Sequence, residues 1–237
     1  MSVVVEPAET VDVVDTAKRA AKPEDLRAAD GRVPGRRGRA TRQRLLECTA
    51  EMLRTTSYRS MKVIDIAREA GTSPATFYQY FADVEAAILV LAQEMAADGE
   101  RLVRLVAEGN WKGRAGYRTA LELTDAFFEF WDQHRPVLRV VDLSTDEGDR
   151  RFRNIRVRLL NAVTIELAAV VAAFQAEGKN LGVEPMAQAG TLVTTLANVA
   201  AHHLGFEFWG IRTADVRISV ARQVYWGTTA QRPPTPS

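Results

Sequence analysis

Ala75, Thr76, Tyr78, Gln79 and Tyr80 are small or hydrogen-bonding side chains, all within six residues and with no negative charge among them. Hydroxyl and amide groups of this kind can bond phosphate oxygens and base edges in a major groove. Just upstream, Ser73 offers a capping oxygen, and Pro74 suits the first helical position, where its missing N–H costs nothing. The amides and dipole at such a helix start favour an anion such as a phosphate. Catalytic groups form no comparable set. His202 and His203 are adjacent, so on a helix they diverge by about 100° and cannot chelate one ion in the i, i+4 manner. His134 falls at an expected helix end, where it faces the last carbonyls. No Ser/His/Asp signature, P-loop or dinucleotide fingerprint is present. Neither an enzyme nor a metal site nor a cofactor is expected.

The elements that position these groups are two short helices. Val63, Ile66, Ala67 and Ala70 recur at i, i+3, i+4, i+7, and Gly71 supplies the permissive backbone that ends such a helix. Phe77 and Phe81, four apart, give the second helix a buried side. Two helices joined by a short Gly-containing turn make a helix-turn-helix, whose second helix enters a major groove. Spacing alone fits an αα-hairpin inside a helical core equally well.

The order of residues decides further. Ile66, Ala67, Ala70, Gly71, Ser73, Thr76, Phe77, Tyr78, Tyr80 and Phe81, followed by acidic Asp83 and Glu85, resemble the DNA-binding signature of the TetR family of bacterial one-component transcriptional regulators. The resemblance covers residues 41 to 91. It implies a double-stranded DNA operator contacted by Lys62, Ser73, Pro74, Ala75, Thr76, Tyr78, Gln79 and Tyr80, and a ligand cavity in the helices that follow. Three positions depart from the family pattern. Lys62 replaces a small hydroxyl residue, Ile64 replaces a polar one, and Val84 stands where most relatives carry a Lys that touches the DNA backbone.

The chain of 237 residues, 46% hydrophobic and 26% charged, can bury a substantial core. Its net charge of +1 is unevenly spread: Lys18 to Arg44 holds ten Lys or Arg against three acids. Residues 1–40 are therefore expected to form a disordered basic arm whose Arg37 and Arg39, with neighbours such as Arg32 and Arg36, neutralise phosphates. A solvated tail is the plainer alternative. Cys48, the one cysteine, lies on an apolar helix face and excludes an internal disulfide. No run of eighteen apolar residues exists and the N-terminus is acidic, so a cytoplasmic protein away from membranes is expected.

No useful stretch alternates with period two, so the fold class expected is all-α, about nine helices, with no internal repeat. Residues 41–86 form the helix-turn-helix domain, beginning with a helix from Thr41 to Thr55 capped by Thr41. Residues 87–228 form a ligand-binding and dimerisation domain, and 229–237 a disordered tail. Within the second domain one long helix is expected from Asp83 to Glu108 and a loop over 109–116. A helix should then run from Tyr117 to His134, ending at Pro136, followed by a short one from Val137 to Leu143. A further helix starts near Arg150. Its five arginines, Arg150, Arg151, Arg153, Arg156 and Arg158, fall all round it and read as a solvated start. Two last helices, 184–209 and 215–227, should pair with a second subunit through residues such as Leu192, Val199, Ile218 and Val224.

Aromatic residues are spread over every helix after residue 110. Asn161, Thr164, Asn198 and His202 lie on otherwise apolar stretches, where a buried polar group needs a partner. With Phe127, Phe128 and Trp131 they are the expected lining of a site for an apolar small-molecule effector. The reading is a homodimeric repressor released from its operator by that effector. The competing class is a helical ligand-binding or scaffolding protein that does not touch DNA.

Overall fold

The computed structural model describes residues 35–179 and 182–234; the acidic N-terminus and most of the basic arm, with Arg32, lie outside them. Among the described residues there are nine α-helices and no strand. In chain order they are α1 Arg36–Thr55, α2 Val63–Glu69, α3 Pro74–Tyr80, α4 Val84–Asp98, α5 Glu100–Ala107, α6 Gly113–Asp146, α7 Arg150–Ala176, α8 Pro185–Glu207 and α9 Thr213–Thr229. A single 3₁₀ turn, Tyr58–Ser60, links α1 to α2.

Helices α1 to α3 form a small head closed over by the start of α4. Leu45, Leu46, Leu53, Ile66, Phe77, Phe81 and Ile88 are buried together in it. The Arg42 guanidinium lies 5.3 Å from the centre of the Phe81 ring, tying the first helix to the end of the third. Val84 packs against this core, which accounts for an apolar residue at a position where relatives carry a lysine. The larger body is built around α6, which packs on α4, α5, α7, α8 and α9. Its core includes Leu123, Phe127, Phe128, Trp131, Leu167 and Tyr225.

Head and body are stitched at the α6–α7 corner. Arg59 pairs with Glu147. Arg151 Nη2 bonds both Asp149 Oδ2 at 2.7 Å and Glu85 Oε2 at 3.3 Å. Arg156 pairs with Asp142 at 3.0 Å. Arg151 thus serves the helix end and the link to the head and Arg156 the contact with α6, while Arg150, Arg153 and Arg158 are exposed, as a solvated start would be. By length and composition α7 could cross a membrane, and it is the one such helix among the described residues. Its apolar half packs on α8, as the core helix of a globular body would.

Several expected boundaries move. The first helix starts at Arg36, five residues early, so Arg36 to Ala40 are helical and not part of a disordered arm. Thr41 is not its cap; within the helix, its Oγ1 donates to the Arg37 carbonyl. The long helix expected from Asp83 to Glu108 is interrupted at Gly99. A side chain there would run into Leu159 of α7, and α5 restarts through a tight Leu102 N–H to Gly99 carbonyl bond of 3.0 Å.

Helix α6 begins at Gly113, so the loop is shorter than expected, and Trp111 seals it by donating from Nε1 to the Val106 carbonyl at 3.1 Å. The same helix does not stop at Pro136 but runs on to Asp146, absorbing both the short helix and the first three residues of the polar stretch 144–149. A proline forfeits one intrahelical bond, and here burial of Trp131, Val137, Leu138 and Val141 on either side outweighs that loss. The C-terminal segment is ordered through Pro234. Gln231 Oε1 accepts from the Tyr225 hydroxyl at 2.8 Å, and the Pro234 carbonyl accepts from Arg222 at 3.0 Å.

Candidate nucleic-acid interface

The surface that could meet DNA is carried by α3, and its geometry follows from five residues between Ala70 and Phe77. Ala70 closes α2, and Gly71 adopts φ 66°, a left-handed value that bends the chain sharply at little cost. Ser73 then stays extended, and its Oγ accepts from the Thr76 amide at 3.2 Å. Pro74 opens the helix. Phe77 is buried, with ring centres 5.4 Å from Phe81 and 5.9 Å from Tyr78. With Phe77 turned inward, Pro74, Ala75, Tyr78 and Gln79 point to solvent, while Thr76 and Tyr80 are half-buried on the flanks.

The other two helices of the head expose cations. Lys62 is exposed at the start of α2, and Arg36, Arg37 and Arg39 are exposed on the first turns of α1. That start has no capping side chain and no acid in its first turn, so among the described residues of α1 none offsets the positive end of the dipole. An anion would. The DNA-contact residues expected from the sequence all lie in the head, on or next to α1, α2 and α3, and none is in the body. Cys48 sits behind it half-buried, and burial pushes its thiol above the ordinary value, so it behaves as packing.

The expected effector residues do not come together. Phe127, Phe128 and Trp131 are core side chains; Phe127 and Trp131 stack at 5.4 Å, and Phe128 meets His203 at 5.1 Å. Thr164 satisfies itself by donating to the Leu160 carbonyl. Asn161 is half-buried, and Asn198 and His202 lie exposed on α8, where a His202 ring nitrogen bonds the Asn198 carbonyl at 3.0 Å. The buried histidine is the neighbouring His203, a one-position difference that apolar spacing on a helix this rich in alanine cannot resolve.

His134 was placed at a helix end from Pro136, but it lies inside α6. Its Nε2 is 3.4 Å from Asp98 of α4 and makes no hydrogen bond. Burial holds its imidazole below the ordinary 6.5, against the smaller opposing pull of Asp98. In the unfolded chain the ring takes up a proton first, so this group's contribution to stability is present above pH 6.5 and is lost as pH falls below it. Urea unfolding at stepped pH should show the parent losing more stability below pH 6.5 than His134→Asn does, and parallel curves would contradict this.

The comparisons agree with this geometry. Residues 102–235 match the family model "Tetracyclin repressor-like, C-terminal domain", and residues 45–86 match "Bacterial regulatory proteins, tetR family". The head and the body both carry the family's pattern, and the chain belongs to the TetR family. An uncharacterized HTH-type transcriptional regulator of Haemophilus influenzae is 26% identical over 132 residues, 55% of this chain; the match spans 63% of that relative, less than two thirds of its length. Among solved structures, the fatty acid degradation regulator FadR from Bacillus halodurans superposes with TM-score 0.61 at 14% identity, covering 82% of this chain and 97% of that one. A tetR-family transcriptional regulator from Streptomyces coelicolor gives 0.60 at 15%, covering 81% and 82%. These likenesses are of fold.

Proposed function

We propose that this protein is a cytoplasmic, homodimeric DNA-binding transcriptional regulator, a repressor that leaves its operator when a small molecule binds the body. The observation that carries the reading is α3: a capped seven-residue helix with Phe77 turned in and Tyr78 and Gln79 turned out, in a head whose Lys62, Arg37 and Arg39 are also exposed. Such a helix packs through Phe77 and presents a hydrogen-bonding, acid-free surface on its other side. Tyr78 and Tyr80 are suited to phosphates, and Thr76 and Gln79 to base edges, with Gln matched to adenine. Release requires the ligand to bind the non-DNA conformation better by a few kcal/mol. Helix α4 is the mechanical link, since it packs on α1 in the head and on α6 and α7 in the body.

The test is a gel shift on the gene's own upstream region at stepped salt. Tyr78→Phe removes one phosphate hydrogen bond and should weaken binding by about 1 kcal/mol on every sequence. Gln79→Ala should instead change which bases are preferred, by about 1–3 kcal/mol at one position. If the parent binds no DNA, the helical ligand-binding reading without DNA takes its place; if both variants bind like the parent, α3 is not the recognition helix.

A further inference from the structure

The chain crosses from head to body once, along α4, whose buried residues are Ala87, Ile88, Ala92 and Met95 and which packs on α1, α6 and α7. Packing of apolar side chains is non-directional, so it holds head and body together more firmly than it sets the angle between them. The α6–α7 corner supplies direction. Gly148 turns it at φ 91°, and the amides of Glu147, Gly148 and Asp149 donate to the carbonyls of Leu143, Thr145 and Ser144 at 3.0, 3.0 and 2.9 Å. Arg156 of α7 braces it through Asp142 of α6. Charges carried on this corner are therefore held in place before the head meets them. Two of them meet it in opposite senses. Glu147 takes Arg59, from the 3₁₀ turn of the head, and Arg151 takes Glu85, from the first turn of α4. A swivel of the head that exchanged these partners would set Arg59 against Arg151 and Glu85 against Glu147, like charge on like.

We propose that Arg59, Glu85, Glu147 and Arg151 form an orienting clasp between head and body. They are positioning residues for DNA recognition: they set the angle at which α3 is presented, and so the spacing between half-sites that a two-headed assembly accepts. The proposal rests on the reading of the chain as a dimeric DNA-binding regulator. All four side chains are roughly half-exposed, so each pair adds little to stability and contributes mainly a preference for one orientation. Glu147 and Arg151 belong to the body, so their effect on DNA runs through the angle of the head. One head on one half-site can follow any angle, whereas two heads on one duplex must agree with its helical repeat. The clasp therefore matters where both heads bind.

The test uses the full-length protein and the operator footprinted in the gene's own upstream region, with copies whose half-sites stand one base pair closer or further apart and with a single half-site. Salt is kept low, where exposed pairs are least screened. The parent should prefer the native spacing. Glu147→Arg sets like charges at the joint; it should lower whole-operator affinity about tenfold, leave the half-site within about twofold and flatten the spacing preference. Glu147→Ala, which only removes the pair, should act in the same direction by less. Arg59→Glu with Glu147→Arg should restore the preference; this is a ratio measured on one protein, so any direct effect of Arg59 on phosphates cancels. In DNA-free protein, spin labels at Gln79→Cys and Glu122→Cys, in a Cys48→Ser background diluted with unlabelled chains, should give one narrow head-to-body distance. It should broaden with Glu147→Arg and narrow again in the charge swap. A parent that binds DNA while Glu147→Arg keeps its spacing preference, or a swap that fails to restore it, overturns the clasp and leaves the regulator reading standing. A parent that binds no DNA overturns that reading instead, and the label distances then decide the clasp: broadening supports it and an unchanged width overturns it.

Discussion

Phe77→Ala should melt the helix-turn-helix head and with it abolish DNA binding, although Phe77 itself is fully buried. Its ring is fully buried against Phe81 and sits in the small core shared by α1 to α4. Removing a buried phenyl typically costs 3–5 kcal/mol, roughly a third or more of the stability of an ordinary domain. The head has few other large side chains with which to collapse on the cavity, which places the cost towards the upper part of that range. Circular dichroism on heating should show an early transition confined to the head, absent from the parent, with the body melting as before. Two controls fix the interpretation. Ser73→Ala removes only the cap and should cost about 1 kcal/mol. Gln79→Ala, exposed on the same helix, should shift stability by less than about 0.5 kcal/mol while altering DNA preference. A Phe77→Ala protein that melts like the parent would mean that α3 is not packed as described.

The head was legible in the sequence because its determinants are local. A serine three residues before Thr76, a proline behind it, a glycine in the turn and two phenylalanines four apart each act within a single turn of helix, so the residues alone fix α2, the turn and α3. The features that escaped depend on distant partners. Gly99 interrupts an unbroken apolar pattern because Leu159, sixty residues on, crosses there. Pro136 looks like a stop, and only the burial of residues on both sides keeps α6 continuous. The early start of α1 was masked by an Arg- and Gly-rich composition that reads as an arm, whereas the helix extends into it from the packed residues beyond.

The effector residues were the least legible. Aromatic and polar residues on apolar helices mark a core as readily as a pocket, and here Phe127, Phe128 and Trp131 fill space where a cavity was expected.

The second large effect concerns assembly. Of the four residues expected to face a second subunit, Leu192 and Val224 are instead buried inside this one and Val199 is half-buried, whereas Ile218 is exposed. The outward surface of α8 and α9 nevertheless carries Leu204, Ile218 and Trp226, and the turn between them projects Phe208 and Trp209 at 91% and 75% exposure. Two tryptophans and a phenylalanine are a large apolar surface to leave in water. A two-fold interface uses the same patch twice, so each substitution in it acts twice. Burying a tryptophan is worth about 2–3 kcal/mol per copy at roughly 25 cal/mol per Å², which makes Trp226→Asp with Ile218→Asp raise the dimer dissociation constant by at least ~100-fold.

Helix content should hold, because both side chains already lie outside the monomer's core. Affinity for a full operator should then collapse, since one head contacts too few bases for specificity and two must sit about 34 Å apart on one face of the duplex. Sedimentation at micromolar concentration, with a gel shift on whole and half operators, reads both consequences. A parent that sediments as a monomer removes the dimer. A variant that remains dimeric, with its full affinity for the whole operator, moves the interface off α8 and α9.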